Sequence, residues 1–471
     1  MITRNKIPIT ILLLFIILIG IQCNKEDIPV EDQSVNCWTS ITDWTDLLSD
    51  SSIEILPIPQ IPLIDTNYLT WLNDKYNRID IRSLTSENFS DLQCLTQYLE
   101  NRTLVQLGES SHSTKQFSEI KIRLIKFMHE QMGFDVIAFE SSFFECFYTN
   151  ENIQNLTETE AIKSSLFSIW GDPMIELFSY IKETRNTAHP LILAGIDCPP
   201  SSPNFTILKR PNLLFELISK VDLPYATHIR SFDSSTIIGL SYGSFTYLTE
   251  NRDFIKSEYR KLVLFINNNI VSLNQYYTSN PLFPEILEKS VLSSIAFVDQ
   301  LGYIYNDNHY RSNESRDSAM AENVYFLKEK LYPHKKIIIW AHNYHVANDY
   351  YQHAFDPDIK TMGIYLKEKY KDDLYTIGLY VLKGKTKDDN WSVINIPLPV
   401  SSNSLEAILY YCGKKYLYVD LRHQNFSEGN KWMFTPILTK VTGLYNESMI
   451  IKDNYDGIVF VDSSSYPTYI N

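Results

Sequence analysis

Glu109 and His112 stand three residues apart in "LVQLGESSHSTKQF" (104–117), between an apolar run and the start of a helical pattern. An imidazole in that place can take a proton from water as a general base. A carboxylate within hydrogen-bond reach can fix its tautomer and stabilise the imidazolium that forms. Ser113 with Gln116 three residues on fits a capping box, which would put His112 just ahead of a helix N-terminus, where the macrodipole favours neutral imidazole. The plain alternative is a His that caps a helix beside a solvated loop acid. Three further apolar runs end in residues of the same kind: Glu140 closes "DVIAFE", Asp197 closes "PLILAGID", and His342 and His345 follow "KKIIIW" in "WAHNYH". At a spacing of three, the last two can face one way on a helical turn. With Glu109, His112, Glu140 or Asp197 they could bind a divalent metal, or as imidazoles they could hold a substrate oxygen. No HExxH motif occurs, so a zinc protease of that type is not supported.

The elements that must position these residues are strands in a mostly parallel sheet. "TLVQL" (103–107), "DVIAFE" (135–140), "PLILAGID" (190–197), "KKIIIWAH" (335–342), "LYTIGLYV" (374–381), "KYLYVDL" (415–421) and "DGIVFVD" (456–462) are nearly continuous apolar runs of strand length. Helical patterns separate many of them, such as Phe117, Ile120, Leu124, Phe127 and Met128 at steps of three and four. That alternation predicts an α/β fold with a mostly parallel sheet flanked by helices. Between about 200 and 330 the pattern is helical and aromatic, a helical insertion. The carboxyl ends of parallel strands line one edge of a sheet, where ligands bind. Residues from four strand ends can therefore converge there. A competing motif is "GLSYG" (239–243), which matches the GxSxG elbow and would make Ser241 an acyl-transfer nucleophile. The elbow needs a strand before it and a helix after it, and here only "TII" precedes it, inside a helical pattern.

Composition narrows the partners. The 471 residues are 44% hydrophobic with a net charge of −14 and no basic cluster, which argues against nucleic acid. Only 15 Gly are present, with neither a Walker A pattern nor GxGxxG, so phosphate loops are not expected. Arg4 and Lys6 precede an apolar run over 9–21 that ends at Gln22-Cys23, a signal-peptide core too short for a comfortable membrane span. Cys23 is read as the lipidated residue of an exported lipoprotein held at the cell envelope, with 1–23 its signal. Residues 24–65, with "ILPIPQIPLI", form an extended linker, and the folded domain covers 66–471. Five further Cys show no CxxC spacing, so they make no zinc site and at most one or two disulfides.

Taken together, "GESSHSTKQF…IKIRLIKFMHEQMGFDVIAFE", "AGID", "RDSAMAEN" (316–323), "WAHNYH" and "YDGIVFVD" resemble the erythromycin esterase-like family over about residues 68–465. The family's first motif reads Gly-Glu-x-x-His-Gly-x-x-Glu-Phe, and here Ser113 and Gln116 replace its second Gly and second Glu. The resemblance implies an α/β hydrolase in which His112 is the general base on water that opens a macrolactone ester, with Glu109, Glu140, His342 and His345 as polar residues of the cleft. Arg316 and Asp317 match a shared motif and imply a supporting role, with Asp197 beside them. Lys121 and Arg123 are weaker matches, for which solvated or ion-paired places are expected. The resemblance requires no cofactor and leaves a divalent metal possible. The two other readings are a lipoprotein that binds a bulky ligand without turning it over and a serine hydrolase using Ser241.

Overall fold

The computed structural model describes residues 61–200, 209–241, 245–276, 280, 282–350, 359–387 and 392–470. Its centre is a nine-stranded sheet in the order β4-β3-β5-β2-β6-β11-β8-β1, with β7 paired to β6. The strands are β1 (Ile79–Asp80), β2 (Leu104–Leu107), β3 (Phe134–Ser142), β4 (Ile192–Asp197), β5 (Lys336–Trp340), β6 (Leu374–Lys387), β7 (Val393–Asn395), β8 (Tyr416–Asp420) and β11 (Gly457–Ser464), while β9 (Ile437–Thr439) and β10 (Glu447–Met449) form a separate hairpin. From β4 across to β11 every pairing is parallel. The antiparallel edge, β8 and β1, departs from the alternating pattern expected of "KYLYVDL".

Strict alternation explains how both faces are covered. Leu104, Val136, Ala138, Ile337 and Ile339 enter one hydrophobic cluster. Val105, Leu107, Ile137, Phe139, Ile338 and Trp340 enter the other. The second face is closed by the helix Lys115–Met132, through Phe117, Ile120 and Leu124, and by Pro173–Thr184. Gly133, at φ +71, ends the first of these helices in the left-handed conformation that favours glycine. The first face is closed by the helical insertion between β4 and β5: Lys209–Ile218, Leu223–Ser241, Phe245–Asn268, Ile270–Asn274, Phe283–Tyr305 and His309–Phe326.

The structure decides three readings, and one of them, the capping box, is corrected. Ser241 is the last residue of the helix Leu223–Ser241, so no strand leads into "GLSYG" and the nucleophile elbow is not built. The capping box of Ser113 and Gln116 is also absent. Thr114 is the N-cap, with no side-chain cap bond, and Gln116 instead accepts from the Ser465 amide at 2.7 Å. Cys94, Cys146, Cys198 and Cys412 are free thiols, so no disulfide forms among the described cysteines. The signal sequence, Cys23, Cys37 and most of the 24–65 linker lie outside the described residues.

Candidate active site

The register of the sheet places the polar strand ends at one level. Leu107 pairs with Trp340 and Trp340 with Phe139, so Glu109, His342 and Glu140 follow within two residues of one row. Asp197 ends β4 opposite Ser142. β2 is central, with β5 on one side and β6 on the other, so the chain reverses direction across the sheet here, as at other ligand-binding crevices of α/β proteins. Loops after β2 and β5 are tied directly: the Asn343 amide donates to the Glu109 carbonyl at 2.8 Å, and the His342 amide donates to Glu140 Oε2 at 2.8 Å. Gly108 permits this approach, because a Cβ there would lie 2.2 Å from Asn343 Oδ1. Asn343 cannot swing away cheaply, since its side chain holds both the amide and the carbonyl of Leu379.

Glu109 is fully buried and accepts four hydrogen bonds. His112 Nδ1 lies 2.8 Å from Oε1, as does Trp170 Nε1, while Lys121 Nζ at 2.8 Å and Trp340 Nε1 at 3.1 Å reach Oε2. Burial alone would raise this carboxyl, but Lys121 and His112 outweigh it and hold it at about 2. An ionised carboxylate can only accept, so His112 Nδ1 is the donor of this bond. Nε2 faces Glu140 Oε1 at 3.9 Å, and the ring lies 5.0 Å from that of His342 and edge-on to Trp170. A separation of that size suits a bridging water.

His342 has a different state. Its Nδ1 accepts from the Tyr344 amide at 3.2 Å, capping the short helix Asn343–Val346. Burial and the neighbouring His112 push it down to about 3. It is therefore a neutral imidazole whose proton is on Nε2, a donor beside the His112 ring.

Behind these residues lies a buried charge network. Arg316 donates from Nε and Nη2 to Asp197 at 3.0 and 2.6 Å and from Nη2 to Glu140 Oε1 at 2.7 Å; its Nη1 lies 3.0 Å from His345 Nε2. Burial disfavours the guanidinium, but Asp197 and Glu140 reverse this and raise it further above its ordinary value. His345 Nδ1 is 2.9 Å from Asp317 Oδ1, which also accepts from the Met362 amide. Against burial, Asp317 and Glu140 lift His345 to about 9. For Glu140, burial is overcome by His345, His112 and Arg316, and the carboxyl falls well below its usual range.

The raised His345 has a consequence for stability. A His raised on folding is protonated in the folded state while the unfolded chain loses its proton near 6.5. Its contribution is complete below about pH 6.5 and lost as pH rises through 9. Relative to His345→Asn, the wild-type protein is expected to lose unfolding free energy over that window, with a limiting slope of about 1.4 kcal/mol per pH unit. Urea titrations of both proteins at pH 6, 7.5 and 9 check this, and a constant difference would refute it.

All eight residues singled out from the sequence, Glu109, His112, Glu140, Asp197, Arg316, Asp317, His342 and His345, thus meet at the strand ends: the bonded pair Glu109–His112 lies against the hydrogen-bonded network of the other six, with His112 Nε2 3.9 Å from Glu140. Arg123 stands apart, paired with Asp91 at 2.5 Å. Two contributors, Trp170 and Trp340, went unread, and a third was read as weaker than it is: Lys121 is ion-paired, one of the two places expected of it, but fully buried, where it holds Glu109 and covers the Trp340 ring at 4.6 Å. Its signal was a Lys four residues after Phe117 on the apolar stripe of the helix. Trp170 and Trp340 supply the two indole donors. Trp340 was visible as the polar-edged end of "IIIW", but Trp170 carried no local signal. Among the described residues no group of three or more His, Cys, Asp or Glu is arranged to hold a metal ion. The carboxylates nearest the His residues are instead engaged by Arg316 and Lys121.

Comparisons with known proteins bear on the family and the fold. The family model for erythromycin esterase matches residues 290–464. A Bacillus subtilis (strain 168) protein named "Putative hydrolase YbfO" is 29% identical over 83% of this chain and 90% of its own length. Erythromycin esterase type II of Escherichia coli is 22% identical over 84% of this chain and 97% of its own. Among solved structures, a Bacillus cereus protein superposes with a TM-score of 0.71 at 18% identity, covering 87% of this chain and all of that one. A mutant of the erythromycin esterase EreC in its open conformation gives 0.63 at 19% identity, covering 84% and 99%. At those identities the two structures speak for the fold.

Proposed function

We propose that the chain is a hydrolase of the erythromycin esterase-like family and that it hydrolyses carboxylic esters, macrolactones among them, with His112 as general base on water. The observation that carries this reading is the bond from His112 Nδ1 to buried, ionised Glu109, with Nε2 turned toward Glu140. A water between Nε2 and Glu140 Oε1 attacks the ester carbonyl and gives its proton to Nε2. The imidazolium is stabilised by Glu109. The carbonyl π electrons move to oxygen, where the Nε2–H of neutral His342 can donate to the oxyanion. Collapse of the tetrahedral intermediate breaks the C–O bond, and the departing alkoxide takes the proton back from His112. No enzyme atom becomes covalently attached.

Glu109 and Lys121 touch His112 or each other, so we assign them positioning and charge-stabilising roles. Arg316, Asp197, Asp317 and His345 are assigned the task of fixing Glu140. A resident divalent metal finds little support in this donor set, so the rate is expected to survive chelation. Export and tethering through Cys23 would place the activity at the cell envelope, where an incoming drug would meet it first.

The test is incubation with a 14-membered macrolide, with and without EDTA, followed by mass spectrometry. Gain of one water in the drug at equal rates in both samples is the expected outcome. Gain only without EDTA would replace the metal-free mechanism. Retention of the drug by a folded protein with no mass change on it or on a panel of simple esters would favour a binding-only protein.

A further inference from the structure

A cavity lies just beyond the strand ends, between the start of the helix Phe143–Asn152 and the helical insertion, with an empty volume of about 460 Å³ including its opening to solvent. Ser142 and Cys198 form part of its wall; they follow Glu140 and Asp197 by two residues and one. Phe143, Phe144 and Phe297 give it an apolar side, Ser290, Ser293 and Ser294 a polar one, and Glu145 and Arg210 are its charged lining residues.

Those two side chains are in opposite situations. Arg210 has all of its donors engaged: Nε and Nη2 on Asp233 at 3.2 and 2.6 Å, Nη2 also on Tyr259, and Nη1 on the Ser290 carbonyl and Ser294 Oγ at 3.0 and 2.6 Å. Tyr259 in turn donates to Asp233. The Arg210–Asp233 pair is thereby closed and neutral. Glu145, in the first turn of the helix Phe143–Asn152 and only 5% exposed, makes no side-chain hydrogen bond to another described residue. Burial, only partly offset by Arg210, pushes its carboxyl up to about 7. A buried carboxyl with no side-chain partner among the described residues is costly unless a ligand completes it.

We propose that this cavity is a cation-accepting pocket: Glu145 receives the protonated amine of a ligand whose apolar flank lies against Phe143, Phe144 and Phe297. An ammonium supplies both the missing hydrogen-bond donor and the missing positive charge, and aromatic faces beside it add cation–π attraction. A neutral alcohol supplies the donor alone. An anion meets an uncompensated carboxyl and an arginine with no donor to spare. That the amine belongs to an ester substrate rests on the hydrolase reading; the charge preference does not.

Benzylammonium and benzyl alcohol, nearly equal in shape, separate these contributions when titrated calorimetrically into the full chain. Benzylammonium is expected to bind at least about tenfold tighter to the wild-type protein, and Glu145→Gln is expected to bring the two within about twofold. Equal affinities in the wild-type protein, or no saturable binding of benzylammonium, would overturn the proposal without reference to any variant. So would a folded Glu145→Gln protein that keeps the preference. Ester turnover is followed in parallel: its absence would count against the hydrolase reading and leave the cation preference standing.

Discussion

His112→Ala is expected to lower kcat about a thousandfold on any ester the protein turns over, the middle of the range for loss of a positioned general base. The geometry allows no nearby substitute. His342 is held neutral with its Nδ1 lone pair committed to the Tyr344 amide, so it is a poor proton acceptor. His345 is raised and is held by the carboxylates of Asp317 and Glu140, so it is already protonated and cannot serve as the base. Glu140 is held so far below its usual range by His345, His112 and Arg316 that it is a weak base. Folding should suffer little, because the His112 side chain keeps 16% exposure and its Nδ1 bond is to a carboxylate that retains three other donors. Single-turnover rates and a thermal unfolding curve of His112→Ala decide the matter together. A well-folded variant that keeps more than a tenth of the wild-type rate would require another base.

Much of this site was legible because α/β sheets convert sequence position into spatial position. Each apolar run marked a strand, each strand end a point on one edge, and the polar residues just beyond the ends had to meet there. That is why Glu140 and His342, separated by about 200 positions, can be joined through a single amide hydrogen bond. The "RDSAMAEN" segment was legible only through its likeness to other sequences. Nothing in its own pattern shows that Arg316, one turn-face of a helix in the insertion, reaches back to Asp197 and Glu140. Trp170 was hidden for the same reason: it lies in a short 3-10 turn whose place is set by tertiary packing against Phe139 and Trp340. Charge state was the other gap. Spacing can suggest that a His and a Glu meet, but whether His342 is neutral and His345 protonated depends on which groups surround each ring. The antiparallel edge was missed because β8 is as apolar as its parallel neighbours, and strand direction leaves no mark on composition.

Removing the guanidinium from the network should be the most damaging single change to the fold. Arg316→Met keeps the apolar stem but leaves Glu140 and Asp197, both nearly inaccessible to water, without their shared cation. Breaking a buried ion pair from one side typically costs about 3–5 kcal/mol, because the partner's charge remains buried and unpaired. Arg316→Lys should fall between the two, since an ammonium supplies the charge but cannot make the paired Nε and Nη2 contacts to Asp197 while reaching Glu140. The pH dependence distinguishes lost charge from lost packing. With the guanidinium gone, burial should raise the pKa of at least one of the two carboxyls above its unfolded value. A carboxyl raised on folding favours the folded state in acid, and that contribution is lost as pH rises through the folded pKa. The stability deficit of Arg316→Met against wild type should therefore shrink between pH 7 and pH 5, as the orphaned carboxyls take up protons. Chemical denaturation at the two values measures it directly. A deficit under about 1 kcal/mol at pH 7, against the expected cost of an orphaned buried charge, would mean that solvent already reaches this network. A deficit that is large but identical at both values would assign the role of Arg316 to packing, and the positioning of Glu140 would then have to come from the His342 amide alone.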